Sequence, residues 1–426
     1  MANKLSIIQD ADLSDKIVLF RVDHNVVKNG EIEDPYRVDS TFETINYILK
    51  NGGKPILMTH VGRPKDKKTG IITIKDKTSV LPIVEYLKEK LKLRIEIPIF
   101  LAKDDYGIEI NAAEIKPYID KLKNNEIDIL YLPNIRWFKG EEVKESEMEV
   151  FASKLAALAD IYVNDAFGSW QANTSTTGIN RYLPSYAGFL MQKEINNLDK
   201  IFNAETPFLA VVAGSKFDTK LKPLYALIQK ADKLVLGGVL YNAYLCAKYG
   251  ISIQGVDNED VVLAKQFVDF TEQYPNKIVE LPYIVESDIL EEKIDGKYRN
   301  VCVKDLKAGD KLNFVLDAAI QSFEDEYVRK VFLSAKTIFI NAVMGFTPNF
   351  REGTIALDIL ISENKEAMKL FGGGDTNMEF KKLLPDKYSA ALNDESFYLF
   401  TGGGAVLNAI EENTAFGIEP IKKLLK

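Results

Sequence analysis

Three arginines in the first half of the chain occupy equivalent places after apolar runs and could bind a small anion. They are Arg37, Arg63 and Arg136, and His60 stands three positions before Arg63. A guanidinium group binds carboxylate or phosphate through two parallel hydrogen bonds. Any one of these arginines alone is better explained as a solvated surface cation. Three in equivalent places favour an anion-binding site.

The second half of the chain offers glycines and lysines in the corresponding places. The triplets Gly372–Gly374 and Gly402–Gly404 precede predicted helices, where backbone amides can hold phosphate. Asp375 follows the first triplet and could hold a Mg²⁺ ion that bridges phosphates, although a helix N-cap is the competing interpretation. Lys216 and Lys220 would project from one side of a helix that begins there, and could neutralise phosphoryl charge. A lysine pair alone is more typical of a solvated face.

The elements that would position these residues are short apolar runs separated by helical patterns, which predict parallel sheets. Two groups of runs are present: KIVLFRVD (16–23), KPILMTH (54–60), DILYLP (128–133) and IYVND (161–165), then FLAVVAG (208–214), KLVLGG (233–238), FVLD (314–317), TIFINAV (337–343), KLFGGG (369–374) and FYLFTGGG (397–404). Between the groups, residues 185–203 have apolar side chains at helical spacing and predict a joining helix. Residues 32–40 and 62–70 predict loops. Open parallel sheets bind ligands at the carboxyl ends of their strands, where the candidate residues stand.

Composition excludes several classes of function. A chain of 426 residues exceeds a single core, so two domains are expected. The net charge of −8 disfavours binding to nucleic acid or to an anionic membrane. Two cysteines and two histidines are too few for a zinc ribbon or a multi-histidine metal centre. Without a signal-peptide core or a membrane-length apolar stretch, the sequence predicts a cytoplasmic protein.

Nine segments form an ordered set along the chain. They are RVDHNV (21–26), THVGRP (59–64), PNIRWF (133–138), LADIYVNDAFG (158–168), YLPSYAGFLMQKEINNL (182–198), AGSKFDTK (213–220), DKLVLGG (232–238), FGGGDT (371–376) and FTGGGA (400–405). In this order and approximate spacing they resemble the phosphoglycerate kinase family. The resemblance covers nearly the whole chain, with interruptions around residues 98–125 and 255–310. An ordered set of this kind is far more specific than any single motif.

The resemblance implies an α/β fold of two doubly wound, Rossmann-like parallel-sheet domains joined by a helix and hinge. The acidic-substrate domain would span residues 1–185, with the tail 406–426 packing back on it. The joining helix would span 186–204 and the nucleotide-binding domain 205–405. The implied reaction moves a phosphoryl group reversibly between 1,3-bisphosphoglycerate and ADP, with Mg²⁺ as cofactor and 3-phosphoglycerate and ATP as products. A monomer without nucleic-acid or membrane partners is expected.

Carried over by position, the resemblance also implies roles for individual residues. The substrate 3-phosphoglycerate would be bound by Asp23, Asn25, Arg37, His60, Arg63 and Arg136. The nucleotide would be bound by Gly214, Lys216, Lys220, Gly238, Asn341, Gly372, Gly373, Gly374, Asp375 and Thr376. The catalytic set would be Arg37, Lys220, Gly373 and Gly403. Asp375 would hold the metal.

The chain departs from the family pattern at three places. Residues 168–174 replace a His-Arg-Ala-His stretch and contain no cation, and the loop is one residue shorter. Residues 341–348 lack the glutamate that holds the ribose, and the nearest carboxylate is Glu352. His24 replaces a phenylalanine. Three functions therefore stay open: an active phosphoglycerate kinase with a divergent loop, a family member acting on a different acyl phosphate, and a nucleotide-binding relative without turnover.

Overall fold

The computed structural model describes residues 4–101 and 103–426, and the chain forms two compact units. Unit 1 lies within Met1–Asn196 and Phe416–Lys426, and unit 2 is Asn197–Ala415. Within the described ranges, no helix is both long and apolar enough to span a membrane.

Unit 1 contains a six-stranded sheet in which all neighbouring strands are parallel. Its strands and helices are β1 (Ile17–Arg21), β2 (Val27–Lys28), β3 (Glu31–Ile32), β4 (Lys54–Met58), β5 (Ile95–Glu96), β6 (Lys103–Asp104), β7 (Gly107–Ile108), β8 (Ile129–Tyr131), β9 (Ile161–Asn164), β10 (Ser185–Ala187), α1 (Tyr36–Asp39), α2 (Phe42–Lys50), α3 (Leu81–Leu91), α4 (Ala112–Lys123) and α5 (Glu149–Ala156). The order across the sheet is β10-β9-β1-β4-β8-β5. Strand order therefore reverses beside β1, between β1 and β9.

Strand β1 shows why the sheet strands are continuous apolar runs. Val18 and Phe20 pack into one hydrophobic cluster, and Ile17 and Leu19 pack into another. Successive side chains of a strand point to opposite faces, so both faces of this sheet are buried. A strand buried on both faces needs apolar residues at every position, not alternate ones.

Unit 2 contains a five-stranded parallel sheet of order β12-β11-β18-β19-β20. Helix α6 (Phe189–Phe202) precedes this sheet in the chain. The strands of unit 2 are β11 (Phe208–Gly214), β12 (Lys233–Gly237), β13 (Ser252–Ile253), β14 (Tyr283–Ser287), β15 (Tyr298–Cys302), β16 (Lys311–Leu312), β17 (Phe314–Ala318), β18 (Thr337–Asn341), β19 (Met368–Gly372) and β20 (Phe397–Phe400). Its helices are α7 (Leu221–Lys230), α8 (Gly238–Tyr249), α9 (Asn258–Thr271), α10 (Ile320–Glu324), α11 (Glu326–Ser334), α12 (Glu352–Glu363), α13 (Gly374–Leu383), α14 (Pro385–Ala391) and α15 (Gly403–Glu411). The last helix, α16 (Glu419–Lys422), belongs to unit 1.

The predicted α/β fold class with parallel sheets is confirmed, and two local predictions are wrong. The run at 314–317 forms β17, which lies in an antiparallel sheet with β14 and β15 and not in the parallel one. Its partners come from a segment whose polar and apolar residues are mixed, so sequence periodicity did not identify them. The predicted loop at 32–40 contains α1, because Pro35 stands at its N-cap with a helical backbone conformation.

Candidate functional site

In unit 1 the polar residues meet at the carboxyl edge of the sheet, beside the reversal of strand order. The segments that follow β1, β4, β8 and β9 all leave the sheet at this edge because the strands are parallel. Arg37 Nη1 lies 3.4 Å from Asp23 Oδ2, and Asn25 Oδ1 accepts a 2.9 Å bond from the Gly62 amide. Arg136 donates from Nη1 to the Gly62 carbonyl at 2.6 Å. A crevice at a strand-order reversal is where open α/β sheets bind ligands.

His60 lies within the positive field of this edge. Its side chain is buried, and burial together with the charges of the four arginines lowers the pKa of His60 well below its ordinary value. The arginines, in order of their effect, are Arg136, Arg21, Arg37 and Arg63. His60 is therefore neutral at neutral pH, and the positive charge at this edge comes from the guanidinium groups, of which Arg37 is paired with Asp23 and Arg136 with Glu142.

Arg21 is a site residue that the sequence pattern did not predict; it ends β1 and is only 1% exposed. Its guanidinium donates to Ser175 Oγ at 2.9 Å and to Ser169 Oγ at 3.3 Å. Ser175 also bonds to the buried carboxylate of Glu141. The sequence does mark Arg21, because it is a cation at the end of an otherwise apolar strand. Nothing in the sequence pattern indicates that Glu141 or Ser175 would lie beside it.

His24 is a core residue. It is fully buried, and its ring nitrogens lie 2.9 Å from Tyr131 Oη and 3.0 Å from Thr41 Oγ1. Burial, aided by the charge of Arg21, lowers the pKa of His24 to about 3. The histidine that replaces the family's phenylalanine is therefore accommodated as a neutral group with both nitrogens hydrogen-bonded.

In unit 2 the corresponding edge of the sheet brings Lys220 to Asn341. Strand order reverses between β11 and β18, and Lys220 Nζ donates to Asn341 Oδ1 at this point. Burial lowers the pKa of Lys220 to about 8, while the charge of Asp375 acts in the opposite direction. Lys220 is thus a largely charged but poorly solvated cation at neutral pH.

The predicted helix through both lysines is absent. Helix α7 begins at Leu221, Lys220 is its N-cap, and Lys216 lies exposed in the preceding turn. The Phe217 amide donates to Asp260 Oδ1 at 2.7 Å and its side chain is fully buried, so this segment is held in the core as a turn. Pro223 fits within the first helical turn.

The two glycine triplets approach each other closely, and a helix begins within each. A Cβ on Gly403 would lie 2.5 Å from Gly373 Cα, and one on Gly373 would lie 2.8 Å from Asn341 Nδ2. Asn341 Nδ2 also donates to the Gly372 carbonyl. Side chains at these glycines would therefore disrupt a backbone surface that surrounds Asn341.

The remaining predicted nucleotide residues lie near these strand ends. Gly214 pairs with Gly238, where a Cβ would stand 3.1 Å from the Gly214 carbonyl oxygen. Thr376 is buried in the first turn of α13, and Asp375 beside it is exposed. The N-cap of α13 is Gly373, so the N-cap interpretation of Asp375 is wrong, because the chain enters the helix two residues earlier than that interpretation requires.

The fold and these clusters define an α/β protein with two doubly wound units, each with polar residues gathered at its strand-order reversal. The family model of phosphoglycerate kinase matches residues 8–413. The phosphoglycerate kinases of Dictyoglomus turgidum and Thermosipho africanus are 32% and 35% identical to the chain, over 96% and 97% of both lengths. The solved phosphoglycerate kinase structure from Coxiella burnetii is 26% identical, with a TM-score of 0.74 over 99% of this chain and 98% of that one. The chain therefore belongs to the phosphoglycerate kinase family, which confirms the resemblance seen in the sequence.

Two departures from the family pattern, the loop at 168–174 and the segment at 341–348, have a defined local structure. Residues 174–178 form a fully buried π-helical turn that Asn173 caps, and Ala172 just before it is exposed. Glu352 begins α12 and forms a 2.8 Å ion pair with Lys293. Glu352 is thus already engaged, and the buried carboxylate of Asp317, which lies against Gly345, accepts hydrogen bonds from the Ala318 and Gly353 amides.

Proposed function

We propose that the protein is an active phosphoglycerate kinase that transfers a phosphoryl group reversibly between 1,3-bisphosphoglycerate and ADP. The observation that carries this proposal is the cluster of Lys220, Asn341 and the facing glycine triplets in unit 2. Such a transfer needs little covalent work from the protein, so positioning and charge neutralisation supply most of the rate. Family membership agrees with this reaction, a phosphoryl transfer that uses a carboxyl group as acceptor.

Unit 1 is the proposed site for 3-phosphoglycerate. Arg37, Arg63 and Arg136 would neutralise the phosphate and carboxylate, with His60 as a neutral donor. Asp23 Oδ1 is buried and makes no hydrogen bond within the described part of the chain, so one acceptor remains for a substrate hydroxyl. Asn25 would complete the set of residues that bind 3-phosphoglycerate.

Unit 2 is the proposed site for ATP or ADP. Gly372, Gly373 and Gly374 would present backbone amides to the phosphates, with Gly403 opposite them. Lys220 would act on the transferring phosphoryl group, since its low solvation strengthens its effect on developing charge. The flanking contacts would come from residues on the same edge of the sheet: Gly214, Lys216, Gly238, Asn341 and Thr376.

Asp375 is the proposed protein ligand for Mg²⁺. No group of three or more His, Cys, Asp or Glu side chains that could hold a metal is found among residues 4–101 and 103–426. Mg²⁺ commonly binds through one or two carboxylates plus substrate phosphates and water, and an exposed Asp375 fits that mode. When bound with the nucleotide, the ion would neutralise phosphate charge.

A second candidate function keeps the phosphotransfer but changes the acyl phosphate. The observation that favours it is residues 168–174, where the family's cations are missing. We also propose a cytoplasmic monomer, which two free cysteines and a net charge of −8 support.

The test is a coupled assay with ATP, Mg²⁺ and 3-phosphoglycerate, repeated with a chelator. Turnover that the chelator abolishes is the expected result, and Asp375→Asn should raise the Mg²⁺ concentration needed for half-maximal rate. Turnover with another carboxylic acid but not with 3-phosphoglycerate would select the second candidate. Absence of turnover with every acid, in a protein that still binds ATP, would leave only a binding function.

A further inference from the structure

Arg21 is a buried cation that has no direct carboxylate partner within the described part of the chain. Its guanidinium is satisfied by Ser175 Oγ, Ser169 Oγ, the Val22 carbonyl and His60 Nδ1. A buried guanidinium carries a large desolvation penalty unless its charge is compensated nearby. The compensating group therefore has to act through one of these neighbours.

Glu141 supplies that compensation through Ser175. Glu141 is 1% exposed and Ser175 is fully buried. The Ser175 hydroxyl donates to Glu141 Oε1 at 2.6 Å and the Ser175 amide donates to Oε2 at 2.9 Å. Since the hydroxyl hydrogen is used on Glu141, the Ser175 oxygen faces Arg21 Nε–H as an acceptor. A second anchor holds the backbone, because Tyr162 Oη donates to the Ser175 carbonyl at 2.8 Å.

The other end of this chain of bonds determines the tautomer of His60. Arg21 Nη2 lies 3.3 Å from His60 Nδ1, and arginine can only donate. Ser169 Oγ also lies 3.4 Å from Nδ1, and since its oxygen accepts from Arg21 Nη2, its hydroxyl hydrogen can be donated to Nδ1. Nδ1 is therefore the acceptor, and a neutral His60 carries its hydrogen on Nε2. That hydrogen is the one ring donor left for an anionic ligand at the arginine cluster.

We propose that Glu141 is a positioning residue, which acts through Ser175 and Arg21 to hold His60 in the Nε2–H tautomer as a substrate donor. This inference rests on the proposed function for its substrate. The chain of hydrogen bonds from Glu141 through Ser175 and Arg21 to His60, called the relay below, does not itself depend on a substrate. Glutamine at position 141 keeps the volume and removes the charge. It also sets an N–H₂ group against one Ser175 donor, so the relay is broken without creating a cavity.

The test compares wild type, Glu141→Gln and Ser175→Ala, with Glu145→Gln as the matched control. Glu145 is in the same segment but lies in an exposed ion pair with Arg181. ¹⁵N NMR of the histidine rings is readily assigned because His24 and His60 are the only histidines. We expect one Nε2–H form for His60 in wild type and the control, and a mixture of tautomers in both relay variants.

Kinetics supply the second measurement. The KM for 3-phosphoglycerate should rise about tenfold in both relay variants, while the KM for ATP changes by less than about twofold. The double variant should be no worse than either single one, because both break the same chain of bonds. A folded Glu141→Gln protein with an unchanged His60 tautomer and unchanged KM would overturn the proposal. If wild type does not turn over 3-phosphoglycerate, the proposed function fails, and the NMR result still decides the relay.

Discussion

Lys220 and His60 show how burial changes the chemistry of single residues. Burial lowers the pKa of both groups, but Lys220 retains a pKa of about 8 and so keeps most of its charge at neutral pH. His60 loses its charge and remains as a neutral donor and acceptor. Residue type alone would assign a cation to Lys220 and leave His60 undecided.

Lys220→Ala should lower kcat by orders of magnitude while ATP affinity changes little. A cation that acts on the transferring phosphoryl group contributes mainly in the transition state, so its loss affects kcat more than binding. Steady-state kinetics and calorimetric ATP binding check this, with Lys222→Ala as the control, since Lys222 lies in an exposed pair with Glu411. An unchanged kcat in Lys220→Ala would exclude Lys220 from the mechanism.

The pH profile of kcat/KM for ATP should fall as pH rises through about 8. The charged form of Lys220 is the active one; it predominates below its pKa of about 8 and is lost above it. Arginine keeps its charge throughout this range, so Lys220→Arg should remove this decline whatever its absolute rate. A decline at the same pH in the arginine variant would assign it to another group.

At the scale of elements, the parallel strands bring the segments that follow them to one edge of the sheet. The turn Thr174–Gly178 is fully buried and carries Ser175, which holds Arg21. The stretch just before Asn173 is exposed and carries no cation. The same loop therefore has a buried part that maintains the arginine cluster and an exposed part that is free to change.

Restoring a cation to this exposed part should tighten binding of 3-phosphoglycerate. The change is Ala172→Arg with one residue inserted before it, so that the Asn173 cap is kept. One charge-assisted hydrogen bond contributes on the order of 1.5–3 kcal/mol, which is about 10- to 150-fold in affinity. Titration calorimetry at two salt concentrations measures it, with Ala172→Gln plus the same insertion as neutral control. Equal affinities for the two variants would show that a cation elsewhere fills the gap.

The segment between β18 and α12 should recognise the nucleotide sugar poorly. Its side chains include no carboxylate for the ribose hydroxyls, and Glu352 at the start of α12 is paired with Lys293. ADP and 2′-deoxy-ADP should therefore bind with affinities within about threefold of each other. Competition binding measures this ratio in wild type and Glu352→Gln. A strong ribose preference that disappears in Glu352→Gln would instead assign the role to Glu352.

At the scale of the whole molecule, unit 1 is completed only by the last residues of the chain. The Ser6 amide donates to the Leu424 carbonyl at 2.8 Å, and the Lys426 amide donates to the Lys4 carbonyl at 2.9 Å. Ile418 and Ile421 are fully buried. Residues near the two ends of the chain therefore lie in one compact unit, although all of unit 2 lies between them in sequence.

Ile421→Ala should destabilise unit 1 by about 2–5 kcal/mol, because it removes a fully buried side chain. Both tryptophans, Trp137 and Trp170, lie in unit 1, so urea unfolding followed by fluorescence reports on that unit. Lys422→Ala is the control, since its ion pair with Glu419 is exposed and contributes little. Equal midpoints for the two variants would mean that the tail does not stabilise unit 1.

The sequence by itself determined the α/β class and the family. Strands buried on both faces must be continuous apolar runs, and such runs are visible without a structure. The ordered motifs, from Asp23 to Gly404, identified the family because each keeps its place along the chain. Local sequence also placed most candidate residues at strand ends, where open parallel sheets bind ligands, and their roles stay a prediction.

Only the tertiary structure decided which of these residues act together. Arg21 reaches Ser175 across 154 positions, Lys220 reaches Asn341 across 121, and Ser175 reaches Glu141 across 34. It also decided that Lys220 stands at the N-cap position of α7 and that His24 is a core residue. No periodicity encodes these pairings, because burial and hydrogen bonding depend on which elements pack side by side.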